Sequence, residues 1–420
     1  MLTIKNATPR PTSPHPVLNL GFRVFFLVGS LFCVLTMVAW ALLLHGLVDY
    51  AGGFNVFFWH AHEMIYGYAL AIVAGFLLTA VKTWTNEPMP YGKKLLWVVV
   101  PWLVARLCLM GDALVANEWA SLGLFGLSMA CDMGFWLLTT GFVVQAVWRA
   151  RQKRQLGIVI MLLLLWLGQG VFYLGVLTQN ADWQRLGIYW GFYLIVAVIL
   201  TIGRRVLPFF IQKGVMMGND GKPTGVVYEQ KNNHWLDKAS LVGLVLFVLT
   251  ELCLPKISVG AMFLVGSAWL VAMVNAWRLV NWYHHGIAQK PLLWSLYGSF
   301  WGLVLGFVLL GLSAIKPEWH SLGVHTLAIS GIGATTLAMM ARVSLGHTGR
   351  NIHKPPKGVS MMFFWIAVAL ICRVGLPLIL PNWYMPSLLL AQVAWVISFG
   401  LFLLMYAKIL TKERLDGLFG

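Results

Sequence analysis

Residues 59–81 read WHAHEMIYGYALAIVAGFLLTAV, with two histidines and a glutamate at the head of a long apolar run. The run is about as long as the ~20 residues that a helix needs to cross a lipid bilayer. Ionisable side chains in hydrocarbon are costly unless they are paired, hydrated or bound to a ligand. The stretch therefore predicts a membrane-spanning helix in which His60, His62 and Glu63 have a function.

The composition extends this prediction to the whole chain. Of the 420 residues, 59% are hydrophobic and 10% are charged, whereas soluble domains carry ~25% charged residues. Apolar segments of spanning length recur and are separated by charged residues, Pro or Gly. We count twelve, near residues 22–45, 56–82, 94–110, 121–148, 157–178, 187–210, 238–254, 259–281, 292–314, 321–345, 360–380 and 388–410. The predicted fold is an all-α polytopic bundle of about twelve transmembrane helices over residues 21–420, integral to the lipid bilayer.

Charge patterning predicts the orientation of this bundle. Lys and Arg accumulate in short cytoplasmic loops, and most of the 30 basic residues, including the run at 149–154, fall in alternate connections. Both termini are therefore expected in the cytoplasm. The Pro-rich residues 1–20 predict a disordered leader, and residues 211–237 predict a cytoplasmic loop. The +16 net charge follows from topology, and we expect no nucleic-acid partner because basic tracts interleaved with exposed aromatics are missing.

In this orientation several polar side chains share the outer level of the bilayer. His60 and His62 begin the second span, and His325 lies near the start of the tenth. Three more charged side chains project from the outer halves of their spans: Arg106, Asp132 and Arg373. Arginines at such a depth normally find an anionic partner.

Helix geometry limits which of these residues can act together. His60 and His62 are about 200° apart around an ideal helix, whereas His60 and Glu63 lie on one face. His325 and His347 are 22 residues apart, roughly 33 Å along a helix, which indicates two sites. Further candidates for the second, cytoplasmic site are His284, His285, His353, Arg204 and Arg205.

Two classes of function fit the residues alone. One is a twelve-helix carrier in which Glu63 and His62 relay protons, and the other is a membrane haem or metal protein with imidazole ligands. Carriers usually have broken helices with polar side chains near the midplane. This chain is polar chiefly at its helix ends, which favours the cofactor protein.

Four blocks of sequence resemble one known family. They are GFRVFFL at 21–27, WHAHEMIYG at 59–67, GRRVLPFF at 203–210 and MARVSLGHTGR at 340–350. In this order they resemble the NnrS family. The resemblance implies a polytopic protein of the bacterial inner (cytoplasmic) membrane that takes part in nitric oxide metabolism, contains haem and copper, and gives resistance to nitrosative stress. It implies no established reaction, so a nitric oxide-metabolising oxidoreductase with an unknown electron donor is one hypothesis.

The resemblance also implies which residues are functional. The matching positions are His60, His62, Glu63, Arg204, Arg205, His325, His347, Thr348 and Arg350. The chain departs from the family pattern at Tyr297, where many relatives have His, which puts a ligand role there in doubt. No CxxCH occurs, so the expected haem is of type b.

These implications combine into one hypothesis about the site. His62 and His325 hold haem b, and Arg106 or Arg373 pairs with its propionates. Arg204, Arg205 and Arg350 are further cofactor-binding candidates. Copper binds either with His60 and Glu63 beside the haem or at inner histidines such as His347, because copper favours imidazole. Nitric oxide then binds at an open iron position, where His60 and Glu63 could assist its removal. Sensing or sequestration without turnover fits equally well, and a proton-coupled secondary transporter using Glu63 and His62 is the alternative.

Overall fold

The computed structural model describes residues 15–50, 52–112, 117–218, 220–229, 233–253 and 258–420. Within these ranges the chain forms helices and no β-strand. The long helices are α1 Gly21–Leu44, α2 Val56–Thr85, α3 Lys93–Asp112, α4 Glu118–Arg149, α5 Leu156–Leu177, α6 Ala181–Val215, α7 His234–Cys253, α8 Ser258–Trp282, α9 Pro291–Leu312, α10 Pro317–His347, α11 Val359–Ile379 and α12 Pro381–Thr411.

Eleven of these helices, all but α7, are long and apolar enough to cross a membrane. Helix α7 has 20 residues but carries Asp237, Lys238 and Glu251, which lower its hydropathy. The prediction of an all-α polytopic membrane bundle is confirmed, although α7, which corresponds to the predicted span 238–254, is not among the eleven. The side of the membrane that each terminus faces stays a prediction.

Two predicted connections can be compared with the structure. Of the predicted leader, residues 1–14 lie outside the described residues. Residues 16–18 form a 3-10 turn, and Asn19 and Leu20 are buried. The sequence predicts a loop at 211–237. In the structure the connection is shorter at both ends, because α6 continues to Val215 and α7 begins at His234.

The helices form two compact units. Unit 1 comprises Met1–Ile188, Met340–Asn351 and Phe402–Gly420, and unit 2 comprises Tyr189–Met339 and Ile352–Leu401. Unit 1 therefore holds α1 to α5, and unit 2 holds α7, α8, α9 and α11. Each unit is described below by itself.

Small residues allow close helix packing within each unit. In unit 1, α1 lies against α2 so closely that a Cβ atom at Gly75 would be 2.7 Å from the Cβ of Phe25. In unit 2, α9 lies against α10, and a Cβ atom at Gly302 would overlap the hydroxyl of Ser330. Such contacts are typical of membrane helices, whose association depends on van der Waals packing rather than on exclusion from water.

Three π-helical segments interrupt the long helices. They are Glu63–Ala69 in α2, Leu327–Ala334 in α10 and Ile371–Gly375 in α11. A π turn widens the backbone spiral locally and is found mostly at functional sites. The first segment contains Glu63 and directly follows His62, the second begins two residues after His325, and the third contains Arg373. The sequence predicts a function for each of these residues. The π turns therefore mark where the site should be sought.

Replacement of Gly75 by Ala should destabilise the protein. The new methyl group would lie 2.7 Å from the Cβ of Phe25 and 3.3 Å from the carbonyl oxygen of Gly21, so α1 and α2 must separate. Overpacking of this kind costs about 1–3 kcal/mol. The matched control is Gly126→Ala in α4, where the added Cβ meets nothing within 4 Å. Thermal unfolding in detergent should give a lower midpoint for G75A only, and equal midpoints for the two variants would contradict this packing.

Candidate functional site

Five side chains in unit 1 form a buried charge network. Each residue is at most 2% exposed to solvent. The members come from α2, α3, α4 and α5, and they are His62, Glu63, Arg106, Asp132 and Tyr173.

Arg106 joins the two acids of the charge network. Its Nη1 donates a hydrogen bond to Oε1 of Glu63, and its Nη2 forms an ion pair with Oδ2 of Asp132. The guanidinium of α3 therefore holds one carboxylate from α2 and one from α4. This is the kind of anionic partner that an arginine buried in a membrane helix needs.

His62 lies between the same two carboxylates. Its Nδ1 is 2.8 Å from Oε1 of Glu63, and its Nε2 is 3.5 Å from Oδ2 of Asp132. The imidazole stacks on the ring of Phe172 at a centroid distance of 4.7 Å. The hydroxyl of Tyr173 donates to Oδ2 of Asp132 at 2.7 Å, so His62 is enclosed by acids and aromatic rings.

The charges of the network suggest what it can do. Glu63 and Asp132 carry two negative charges when ionised, and Arg106 carries one positive charge. The sum is −1 with a neutral His62 and zero with a protonated His62. Oε2 of Glu63 and Oδ1 of Asp132 are also buried without a hydrogen-bond partner. The network therefore combines two carboxylates, one guanidinium and one imidazole in a space closed to solvent.

The π segment of α2 explains how Arg106 reaches Glu63. Trp102, one turn before Arg106 on α3, donates its indole N–H to the carbonyl of Gly67 at 2.9 Å. A Cβ atom at Gly67 would lie 2.9 Å from Nη1 of Arg106. Glycine at this position in the π turn therefore gives the guanidinium room to pass.

Unit 2 contains a second buried arginine beside a histidine. Nδ1 of His325 is 2.7 Å from the carbonyl oxygen of Ser321, one helical turn earlier. Nη2 of Arg373 donates to the hydroxyl of Ser321 at 2.9 Å and lies 3.2 Å from Nδ1 of His325. Nη1 of Arg373 is buried without a hydrogen-bond partner. Among the described residues, no carboxylate forms an ion pair with Arg373.

The two units therefore share one arrangement with different charges. In each, a Trp-His pair precedes a histidine, a π segment follows that histidine, and the next spanning helix supplies an arginine. Arg106 of unit 1 is held by two carboxylates, whereas Arg373 of unit 2 contacts neutral groups. The arginine of unit 1 is thus paired with acids, whereas the arginine of unit 2 has no carboxylate partner among the described residues.

Two further candidates, His60 and Tyr297, and the nearby His320 have packing or hydrogen-bonding contacts. His60 stacks on Trp40 with a centroid distance of 4.4 Å and an interplanar angle of 12°. Nε2 of His320 is 2.7 Å from Oε1 of Glu251. The hydroxyl of Tyr297 donates to the carbonyl of Leu279 at 2.9 Å. The structure thus brings Glu63 together with His62 and Arg106, and places His60 against a tryptophan.

The candidates of the predicted cytoplasmic site fall in both units. In unit 1, the ring of His347 contacts Phe22 at 5.6 Å, and Nη1 of Arg350 donates to the carbonyl of Thr348 at 3.3 Å. In unit 2, Nη1 of Arg204 lies 3.7 Å from a carboxylate oxygen of Asp237, and Arg205 is half-buried beside it.

The remaining histidine candidates lie in loops of unit 2. The rings of His284 and His285 stack at 4.2 Å. Burial and the neighbouring His285 lower the pKa of His284. His353 lies 3.4 Å from the ammonium of Lys290.

The NnrS family model, described as NnrS protein, matches residues 16–414 of the 420-residue chain. The chain belongs to the NnrS family. A comparison with curated protein sequences finds no match. The resemblance that the four sequence blocks predict is confirmed, and the family match covers all of the predicted site residues.

Some contacts of the site residues could not be predicted from the sequence. Tyr173 lies in an apolar helix with no flanking motif, and Trp40 looks like one of many interfacial tryptophans. Ser321 is the exception, because it precedes His325 by four residues and such residues are neighbours on a helix face. That spacing could have identified Ser321 as the group that orients the imidazole.

The predicted metal ligands do not form a cluster. In the described ranges, no group of three or more His, Cys, Asp or Glu residues is arranged to hold a metal ion. The four predicted metal ligands, His60, His62, His325 and His347, therefore stay predictions.

Replacement of Arg106 by Gln should strongly destabilise the protein. Two buried carboxylates would lose their shared cation, and the loss of one member of a buried ion pair costs about 3–5 kcal/mol. Adding Glu63→Gln to R106Q should recover part of that loss, because one buried charge is then removed. The free energy of unfolding in detergent measures both variants, with Arg154→Gln as a surface control. A double variant that is no more stable than R106Q alone would mean that Glu63 and Arg106 are not coupled.

Proposed function

We propose that this NnrS-family protein is a haem protein of the bacterial inner membrane that binds nitric oxide and thereby gives resistance to nitrosative stress. Two findings support the proposal at a coarse level: the family match over residues 16–414 and the eleven helices of spanning length. The assignment of haem b and of its residues is finer and rests on the geometry of unit 2.

The observation that carries the proposal is the pair of His325 and Arg373. A histidine that binds a metal usually donates its other ring N–H to a carbonyl or carboxylate, which fixes the tautomer. Nδ1 of His325 is 2.7 Å from the carbonyl oxygen of Ser321, so the tautomer that donates there carries its lone pair on Nε2. His325 is therefore the residue that we assign to the haem iron.

Arg373 fits the carboxylate side of the same cofactor. Its Nη1 is buried and has no hydrogen-bond partner, and Arg pairs with carboxylates through charge-assisted hydrogen bonds. The ring of Tyr384 lies 5.7 Å from its guanidinium carbon and helps to position it. We assign Arg373 to a haem propionate.

When bound, the haem would supply an iron atom with a coordination position for nitric oxide. The residues of the chain orient the groups that would hold the haem. The carbonyl of Ser321 orients the imidazole of His325, and the hydroxyl of Ser321 holds Nη2 of Arg373.

His62 fits a haem ligand less well than His325 does. Both of its ring nitrogens face carboxylates, and its ring face is covered by Phe172. We therefore assign His62 to the charge network, as a group that holds a proton between Glu63 and Asp132.

Copper, the second metal that the family implies, does not fit the described donors. His347 has Arg414, Lys82 and Arg23 as charged neighbours, and these cations would repel a metal ion. At Glu63 the positive charge is already supplied by Arg106. We propose no step through copper at these residues.

A proton-coupled secondary transporter is the second candidate. The observation that favours it is the charge network, since ionisable groups buried in spanning helices are typical of proton relays. In that case Glu63 and His62 would carry the proton, and the protein would contain no chromophore.

The haem assignment predicts that His325→Gly loses haem. We expect the haem-to-protein ratio, measured as the pyridine haemochrome after cofactor-replete expression, to fall at least about tenfold. Imidazole added during purification should restore haem binding, because it can occupy the place of the missing side chain. Arg373→Gln should weaken haem retention less severely, through loss of one charge-assisted bond worth about 1.5–3 kcal/mol.

The matched control is His234→Ala, at an exposed position on α7, which should keep the full haem content. Each variant is first checked for a monodisperse size-exclusion profile and for the helical circular dichroism of the wild type. A folded His325→Gly variant with unchanged haem content would refute the assignment. A colourless wild-type protein that takes up protons in liposomes, with uptake lost in Glu63→Gln, would favour the transporter instead.

A further inference from the structure

Unit 1 has a basic cluster at one end of its helices that the proposed function does not use. The cluster comprises Arg23 at the start of α1, Lys82 at the end of α2, His347 at the end of α10, and Arg350 and Arg414, which follow α10 and α12.

Arg23 is the buried centre of this cluster. The residue is 0% exposed. Its Nη1 donates to the carbonyl oxygens of Leu410 at 2.8 Å and Lys412 at 2.7 Å. Its Nε and Nη2 are buried without a hydrogen-bond partner. Carbonyl groups do not neutralise a guanidinium, and an uncompensated buried charge costs several kcal/mol.

The charged groups around Arg23 make this cost larger. Its charged neighbours are Arg350 and Arg414. Those of His347 are Arg414, Lys82 and Arg23. The cluster therefore places like charges together, and its electrostatic neighbours in the described residues include no acid that pairs with Arg23.

Asp416, an acid beside the cluster, is held by one of its arginines. Nε of Arg414 donates to Oδ1 of Asp416 at 2.8 Å, and this bond lowers the pKa of Asp416 to about 2. Asp416 is therefore ionised at neutral pH and held by Arg414. The single negative charge of Asp416 does not neutralise the four permanently cationic side chains of the cluster, which are Arg23, Lys82, Arg350 and Arg414.

The backbone around the cluster is held in place. Nη1 of Arg414 donates to the carbonyl of His347 at 2.8 Å, and the N–H of Leu415 donates to the carbonyl of Thr348 at 3.3 Å. Gly349 has a φ of +71°, and a Cβ atom there would lie 3.0 Å from the carboxyl group of Asp416. The Gly349 turn is thus fitted to the chain segment that carries Arg414.

We propose that the basic cluster binds a phosphate group, with Arg23 beneath it and Arg350 and Lys82 at its open side. Two nitrogen atoms of Arg23, Nε and Nη2, need an acceptor for their N–H groups, and guanidinium groups match the oxygen geometry of phosphate. Both Arg350 and Lys82 are partly exposed, so a phosphate can approach from outside. A cluster that served only membrane orientation would be solvated, whereas Arg23 is fully buried. The phosphate can be inorganic or belong to a phospholipid headgroup, and the test separates these sources.

The test uses the full-length protein in detergent and inorganic phosphate as the probe. Phosphate should raise the thermal midpoint relative to chloride at equal ionic strength. In Arg350→Gln the apparent dissociation constant for phosphate should rise about tenfold or more, because a charge-assisted bond is lost. The dissociation constant of Arg350→Lys for phosphate should lie between those of the wild type and Arg350→Gln. Lys357→Gln, an exposed cation in unit 2, is the matched control and should bind like the wild type. Arg350 is chosen because substitution of the buried Arg23 could prevent folding.

Native mass spectrometry of the mildly purified protein identifies the source of the phosphate. A phospholipid retained at about one per chain, and lost in R350Q, would assign the site to a headgroup. A response to inorganic phosphate without retained lipid would assign it to the free anion. If no lipid is retained and phosphate acts no more strongly than chloride, the proposal is wrong. The proposal is also wrong if R350Q and K357Q do not differ in either phosphate affinity or phospholipid retention.

Discussion

The guanidinium of Arg106 between Glu63 and Asp132 is the interaction on which unit 1 depends. Each of the three charges comes from a different spanning helix, and none is exposed to solvent beyond 2%. In hydrocarbon such charges are tolerated only when they are paired. The ion network therefore fixes α2, α3 and α4 relative to one another, and His62 and Tyr173 add hydrogen bonds to its two acids.

The π turns make these contacts possible, and a π turn is a feature that the sites of both units share. Each unit has a histidine before a π segment and an arginine from the next spanning helix. In unit 1 the acids Glu63 and Asp132 balance the charge of Arg106, whereas among the described residues no carboxylate forms an ion pair with Arg373 in unit 2. This difference in charge is why we assign proton holding to unit 1 and an anionic cofactor to unit 2.

Much of the fold was predictable because membrane spans are long and apolar. The exception, α7, carries three charged residues in 20, so its length alone was misleading. The importance of His62, Glu63 and Arg106 was predictable from the cost of burying ionisable groups. Their pairing was not, because helix periodicity puts Glu63 on the face of His60, whereas the structure places His60 against Trp40. A π turn that begins at Glu63 cannot be read from apolar periodicity, and neither can the approach of Tyr173 from α5.

The most direct test of the account is the optical spectrum of the reduced wild-type protein in detergent before and after addition of nitric oxide. The account predicts a Soret band that shifts on addition of nitric oxide, with close to one haem per chain. A colourless protein after cofactor-replete expression, or a haem band that nitric oxide leaves unchanged, would contradict it.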